Sequence, residues 1–279
     1  MNQAATLARP SESATAGFPQ LLRERRRARG LSQEELAQQA QTSQRHLSYL
    51  ESGKARPSRA MVLQVSEALA CPLRERNHWL LAAGFAPLFG ERPLTNPDMA
   101  PVRQALEMML RQQEPYPAVV VDRAWNVVMV NAATTRLMGL LGGDAMWQAV
   151  CGEGPHNILK LTFHQRGLRP LITNLDELGP ALLARAIAEA REHAGAAEVL
   201  AEILAYPGIP PRWRLSDAWV PVTPVLPTRL KLGNVSLNFI TLLASFGMAQ
   251  DVTTDDLRVE CLFPADAATE ALMRQGAEK

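Results

Sequence analysis

From Phe18 to about Phe85 the apolar positions recur at helical spacing, with no strand-like alternation between them. Ser32 is followed three residues later by Glu35. This is the reciprocal pattern in which each side chain satisfies the other residue's backbone N–H, and it predicts a helix start. Leu36, Ala37 and Ala40 form the apolar face of that short helix. Ser43 predicts the next start, Leu47 and Leu50 its inward positions, and Gly53 a left-handed stop. Ser58 opens a fourth helix with Met61, Val62, Val65 and Leu69 as its stripe, and a fifth runs from about Arg74 to Ala83. Residues Met1 to Gly17 are small and polar and read as a disordered arm. Pro87, Pro93, Pro97 and Pro101, with Gly84 and Gly90, predict a linker over 86–100.

Beyond the linker the pattern changes. Two apolar, β-branched runs, Pro117 to Val121 and Val127 to Val130, flank a short polar turn and predict a hairpin. Helical spacing dominates from about Asn131 to Ala205 and is clearest from Pro180 to Ala194. Near the end, Val235, Leu237 and Phe239 alternate with Ser236 and Asn238, after a Gly233-Asn234 turn. Leu257, Val259, Cys261 and Phe263 alternate with Arg258 and Glu260. Period-two alternation predicts a sheet with one buried face. The chain thus reads as multidomain: an all-α five-helix unit over 18–85, then an α+β unit over 101–279.

Charge sharpens the division. The 279-residue chain is almost neutral, at +1, yet residues up to Gly90 carry twelve Lys/Arg against seven Asp/Glu, and the remainder seventeen against twenty-one. A front at +5 joined to a rear at −4 points to a polyanion partner for the front alone. Three scattered cysteines exclude a disulfide framework. No apolar run is long enough to span a bilayer and no signal peptide is expected, so the reading is a soluble cytoplasmic protein with no membrane partner. Cys151, His156 and His164 match no zinc spacing, and no GxSxG, P-loop or GxGxxG occurs. Neither a metal nor catalysis is expected.

The chemistry concentrates in LSQEELAQQAQTSQRHLSYLESGKARP, from Leu31 to Pro57. Two short helices meet at a tight turn, Gln41-Thr42, and the small Ala37 lets them cross closely. Gln44, Arg45, Ser48 and Tyr49 share one helix face, away from Leu47 and Leu50. That face suits base edges in a major groove, where Arg pairs with guanine and Gln with adenine. Gln33 and Ser43 stand at helix N-termini, which favour a phosphate. Arg23, Arg26, Lys54, Arg56 and Arg59 add positive charge around them. Within the run Arg23 to Arg29, Arg23 and Arg26 share one face, Arg25 and Arg29 another.

This stretch resembles the helix-turn-helix of the phage-repressor-like XRE family, and 18–85 resembles that family's whole DNA-binding domain. The resemblance implies that Gln33 clamps a phosphate and braces the recognition helix. It further implies that Gln44, Arg45 and Tyr49 face bases and that Lys54 and Arg56 meet the DNA backbone. Gln41 departs from the family's usual Gly in the turn, and a left-handed conformation there costs a non-Gly residue about 1 kcal/mol. The stretches PAVVVDRAWNVVMVNAA, NILKLTFHQRGLRPLITN and DVTTDDLRVECLFPAD resemble the ligand-binding domain of MmyB-like transcription regulators. That resemblance implies a PAS-like fold and a small-molecule effector, a fatty acid or similar apolar molecule. Trp125, Phe163, Trp213, Phe239 and Phe246, with Val119, Val121, Val128 and Leu237, are the candidate pocket lining; core packing is the competing reading for each. Arg166 and Arg169 are candidates for an acidic head group.

The sum is a homodimeric, ligand-responsive regulator of a double-stranded DNA operator. Its rivals are a rear domain serving only dimerisation or partner docking, an enzyme carrying a DNA-binding module, and the antitoxin of an operon pair.

Overall fold

The structure, a computed structural model, describes residues 17–191, 193–214 and 224–277. The arm expected over 1–17 lies outside the described residues, save Gly17. The chain divides into two compact units, 1–90 and 91–279.

The first unit holds five helices: α1 (Phe18–Ala28), α2 (Gln33–Gln39), α3 (Gln44–Glu51), α4 (Arg59–Ala68) and α5 (Leu73–Ala82). Their starts follow from serine chemistry. Ser32 Oγ accepts from Glu35 N at 3.1 Å, and Ser32 N donates to the Glu35 carboxylate at 2.7 Å, completing the reciprocal cap. Ser43 Oγ and Ser58 Oγ cap α3 and α4 by accepting from His46 N and Met61 N, without the return bond. Gly53 ends α3 at φ +71°. Leu22, Leu36, Leu47, Leu50, Val62 and Val65 are fully buried together, each contributing about 1.5–3 kcal/mol. Phe18 meets Trp79 edge-on at 5.9 Å and ties α1 to α5. Asn77 of α5 hydrogen-bonds the backbone of Leu88 and Phe89, so the start of the predicted linker is fastened to this unit.

The second unit is built on five antiparallel strands: β1 (Ala118–Val121), β2 (Val127–Val130), β3 (Thr228–Leu232), β4 (Val235–Ser245) and β5 (Arg258–Pro264), in the order β2-β1-β5-β4-β3. One helix, α6 (Ala100–Gln112), covers one face: its Leu106 and Leu110 pack on Ala118, Val120, Val259 and Cys261. Between β2 and β3 the chain forms α7 (Ala132–Leu141), α8 (Gly143–Cys151), α9 (Ile158–Phe163), α10 (Leu175–Ala190) and α11 (Ala194–Ala205). The short α12 (Val252–Asp256) precedes β5, and α13 (Ala267–Ala277) ends the fold. Residues of α7, α10 and α13 cluster with Leu230, Leu237 and Phe239 on the sheet's other face.

Two expectations need correction. The clearest helical stretch starts at Leu175 rather than Pro180, and it ends at Ala190; His193 caps a separate helix through Ala196 N. The alternating apolar residues of β4 and β5 also do not share a face. Register sets Phe239 opposite Pro264, Thr241 opposite Leu262 and Leu243 opposite Glu260. Directly paired residues point the same way. Leu237 and Phe239 therefore face the helical layer together with Arg258 and Glu260, while Val259, Cys261 and Phe263 face α6. The sheet is covered on both sides, and β5 turns its charged face inward.

Candidate DNA-reading surface and ligand cavity

On α3 the side chains divide as the spacing predicts. Leu47 and Leu50 are fully buried, whereas Gln44, Arg45 and Tyr49 are exposed and Ser48 half-buried. Arg45 Nε donates to Tyr49 Oη at 3.2 Å and its guanidinium lies 5.4 Å from that ring, so the two long side chains are held side by side. Lys54 and Arg56 are exposed just beyond the helix. In the preceding turn Gln41 adopts φ +47°, the left-handed conformation its place in the turn demands.

The end of α3 is anchored by a buried ion pair. Glu51, only 3% exposed, accepts from Arg26 Nε at 2.6 Å and Nη2 at 2.9 Å, and from Gln33 Nε2 at 2.8 Å. Arg26 Nη1 donates to Leu31 O at 2.7 Å, and Arg23 donates to Glu51 O. Burial pushes the Glu51 carboxyl up. The hydrogen bonds from Arg26 and Gln33 and the charges of Arg26 and Arg23 outweigh burial and hold it below the usual carboxylate range. Arg26 is therefore corrected from a phosphate grip to an internal strut, because its guanidinium is spent on Glu51 and Leu31. Gln33 also braces α3. Arg25 and Arg29 turn the other way, to the carbonyls of Ala70 and Leu69. Ser43 uses its oxygen to cap α3 and is exposed, and among the described residues its O–H has no acceptor.

In the second unit a cavity of about 350 Å³ lies between the sheet and the helices. Aliphatic side chains dominate its wall: Leu137 and Leu141 of α7, Leu178 and Leu182 of α10, Leu230 of β3 and Leu262 of β5. Of the expected lining, Val119, Trp125 and Phe239 reach it. Val121 is buried one row further along β1, beside Arg258. Phe163 and Trp213 pack behind the wall, with Leu183 and Ile203. Leu237 is core, Val128 is exposed on β2, and Phe246 belongs to the α6 side. Arg169 is used by the carbonyls of Pro207 and Gly208, and neither it nor Arg166 lines the cavity.

Two charged residues line the wall that sequence reasoning missed: Arg185 of α10 and Glu260 of β5. They belong to a cluster behind Trp125. Glu189 accepts from Trp125 Nε1 at 2.6 Å, from Arg185 Nε at 3.2 Å and from Arg258. The Arg185 guanidinium stacks 4.4 Å from the Trp125 ring. The only prior signal was a charge inside each apolar run, Arg185 between Ala184 and Ala186 and Glu260 between Val259 and Cys261.

Among the described residues no helix is long and apolar enough to cross a membrane, and no three His, Cys, Asp or Glu side chains group as a metal would require. No curated protein gives a significant match. Residues 22–76 match the helix-turn-helix family model, of the XRE type, and residues 102–275 match the MmyB-like transcription regulator ligand binding domain. The second match spans more than half of the chain, and with the first it makes this a DNA-binding transcription regulator with a ligand-binding C-terminal domain: the chain belongs to the MmyB-like transcription regulators.

Proposed function

We propose that the chain is a homodimeric regulator whose operator binding responds to a small, largely apolar molecule, of fatty-acid-like size, held in the cavity of the C-terminal unit. The observation that carries this is the cavity itself. Its volume of about 350 Å³ falls within the range of small-molecule pockets, and its wall is mostly aliphatic, with scattered threonines and one charged pair, Arg185 and Glu260. The five-stranded antiparallel sheet, with a layer of helices enclosing the cavity against one face and α6 on the other, supports the PAS-like reading. A rear domain serving dimerisation alone is disfavoured. At about 24 cal/mol per Å³, such a domain would gain several kcal/mol by filling this space with side chains.

In the N-terminal unit Gln44, Arg45, Ser48 and Tyr49 would meet base edges, with Arg23, Gln33, Ser43, Lys54 and Arg56 around them for phosphates. The short α3 offers few base contacts, so affinity is best gained by a dimer on half-sites about 34 Å apart. Ligand can change operator affinity only by binding two conformations unequally. Native and denaturing mass spectra of the purified protein test the sensor reading. A stoichiometric apolar adduct lost on denaturation supports it. A bare chain whose melting temperature responds to no member of an alkyl-compound series contradicts it.

A further inference from the structure

Glu260 stands apart from the other buried charges. It is 7% exposed and lines the cavity, yet no hydrogen bond reaches its carboxyl among the described residues. Its nearest cation, Arg185 Nη1, lies 3.8 Å away, beyond hydrogen-bond length. Glu189, one layer behind, already accepts three hydrogen bonds, from Trp125, Arg185 and Arg258. Two carboxylates and two guanidiniums thus make an electrically balanced cluster in which, among the described residues, the carboxyl that accepts no hydrogen bond is the one that lines the cavity. A buried polar group without a partner is costly. Burial, reinforced by the charge of Glu189, pushes the Glu260 carboxyl up against the opposing pull of Arg185 and Arg258.

Beyond this spot the cavity floor is a chain-length track. Register carries it from the Glu260–Leu243 row to the Leu262–Thr241 row and then to Phe239 and Thr228. Leu243 to Phe239 is four residues of strand, about 13 Å.

We propose that Glu260 and Arg185 recognise the polar end of an uncharged amphiphile, one whose head both donates and accepts hydrogen bonds, an aliphatic alcohol being the simplest case. This rests on the cavity being a small-molecule site. The hydroxyl donates to Glu260 and its oxygen accepts from Arg185, while the alkyl chain lies along the track. The opposed charges 3.8 Å apart select against ionic heads of either sign. A carboxylate meets Glu260 and can enter only with a proton, carried by one carboxyl or the other. An ammonium ion meets Arg185, whose charge cannot be neutralised.

Isothermal titration of the full-length protein with decan-1-ol, decanoate and decan-1-amine at pH 7.5 tests this. The alcohol should bind at least about tenfold tighter than either ion, a step of 1.4 kcal/mol. Decanoate affinity should rise by about tenfold for each unit the pH is lowered toward 6, the signature of one proton taken up. Glu260→Gln should flatten that slope and close the gap between decanoate and the alcohol. Decanoate binding as tightly as the alcohol to the wild-type protein, or a pH slope that survives in Glu260→Gln, would overturn the assignment and leave the cavity's ligand role intact. The wild-type ranking decides the matter even where the variant fails to fold. Binding of none of the three would overturn the assignment together with the ligand role on which it rests.

Discussion

Replacing Glu51 by alanine removes the acceptor that holds Arg26 and Gln33 against the end of α3. The structure sets the magnitude. Glu51 is buried, the Arg26 side chain is only 11% exposed, and three of the donors lie within 2.9 Å of the carboxylate. Without Glu51, the Arg26 guanidinium keeps one acceptor, Leu31 O. Breaking a buried pair from one side costs about 3–5 kcal/mol. In a unit of this size that lowers the helical transition by more than about 10 °C. Replacing both members, Arg26→Met with Glu51→Leu, should recover most of the loss, because no buried charge is left alone. Calorimetry of the full-length protein, with circular dichroism following the helical unit, measures both. The folded-state pKa of Glu51 is depressed, so its stabilisation is complete above the unfolded value of about 4.3 and is lost as the pH falls through the lower folded value. Wild type and Glu51→Ala should therefore converge in acid. A single variant within about 1 kcal/mol of wild type at neutral pH, the range of exposed pairs, would refute the strut.

Gln41→Gly should stabilise the helical unit by about 0.5 kcal/mol, the relief of left-handed strain exceeding the added chain entropy, as denaturant midpoints would show. Arg45→Ala should cost operator binding about 1–3 kcal/mol and relax base preference. Lys54→Ala should weaken all sequences alike and reduce the salt slope by about 1; competition titrations at several salt concentrations separate the two. Glu260→Gln should raise the melting temperature at pH 8. The Glu260 pKa is raised by burial, so folding is favoured below the unfolded value and that advantage is lost as the pH rises through the folded one; the gain should shrink on acidification. Leu182→Trp should fill the cavity and abolish alkyl-ligand binding without lowering the melting temperature.

The helical unit was legible because its signals are local. Ser32 and Glu35 are three residues apart, Gly53 ends α3 in the conformation only glycine takes easily, and Gln41 shows its strain in place. The partners of the α1 arginines were not legible. Arg26 and Glu51 are 25 residues apart, and nothing in a run of like charges says which member turns inward. The sheet's existence followed from alternation, but its facing did not. With both sides covered, the alternating apolar positions Val259, Cys261 and Phe263 of β5 could serve α6 or the cavity equally, and they serve α6. Beyond Val119, Trp125 and Phe239, the cavity wall was missed for a similar reason. Aliphatic positions such as Leu137, Leu178 and Leu230 have the same pattern whether they close a core or border a space, whereas aromatics such as Phe163 and Trp213 went to the core behind it.

The central claim is that occupancy of the cavity changes the affinity of the N-terminal unit for its operator. The direct measurement takes a duplex selected by the protein from a random pool. Its affinity is compared, by fluorescence anisotropy, for protein stripped of small molecules and for the same protein reloaded with the molecule recovered from it. The account predicts two different affinities, with stripped Leu182→Trp indifferent to reloading. One unchanging affinity with the cavity shown to be first empty and then full would contradict it.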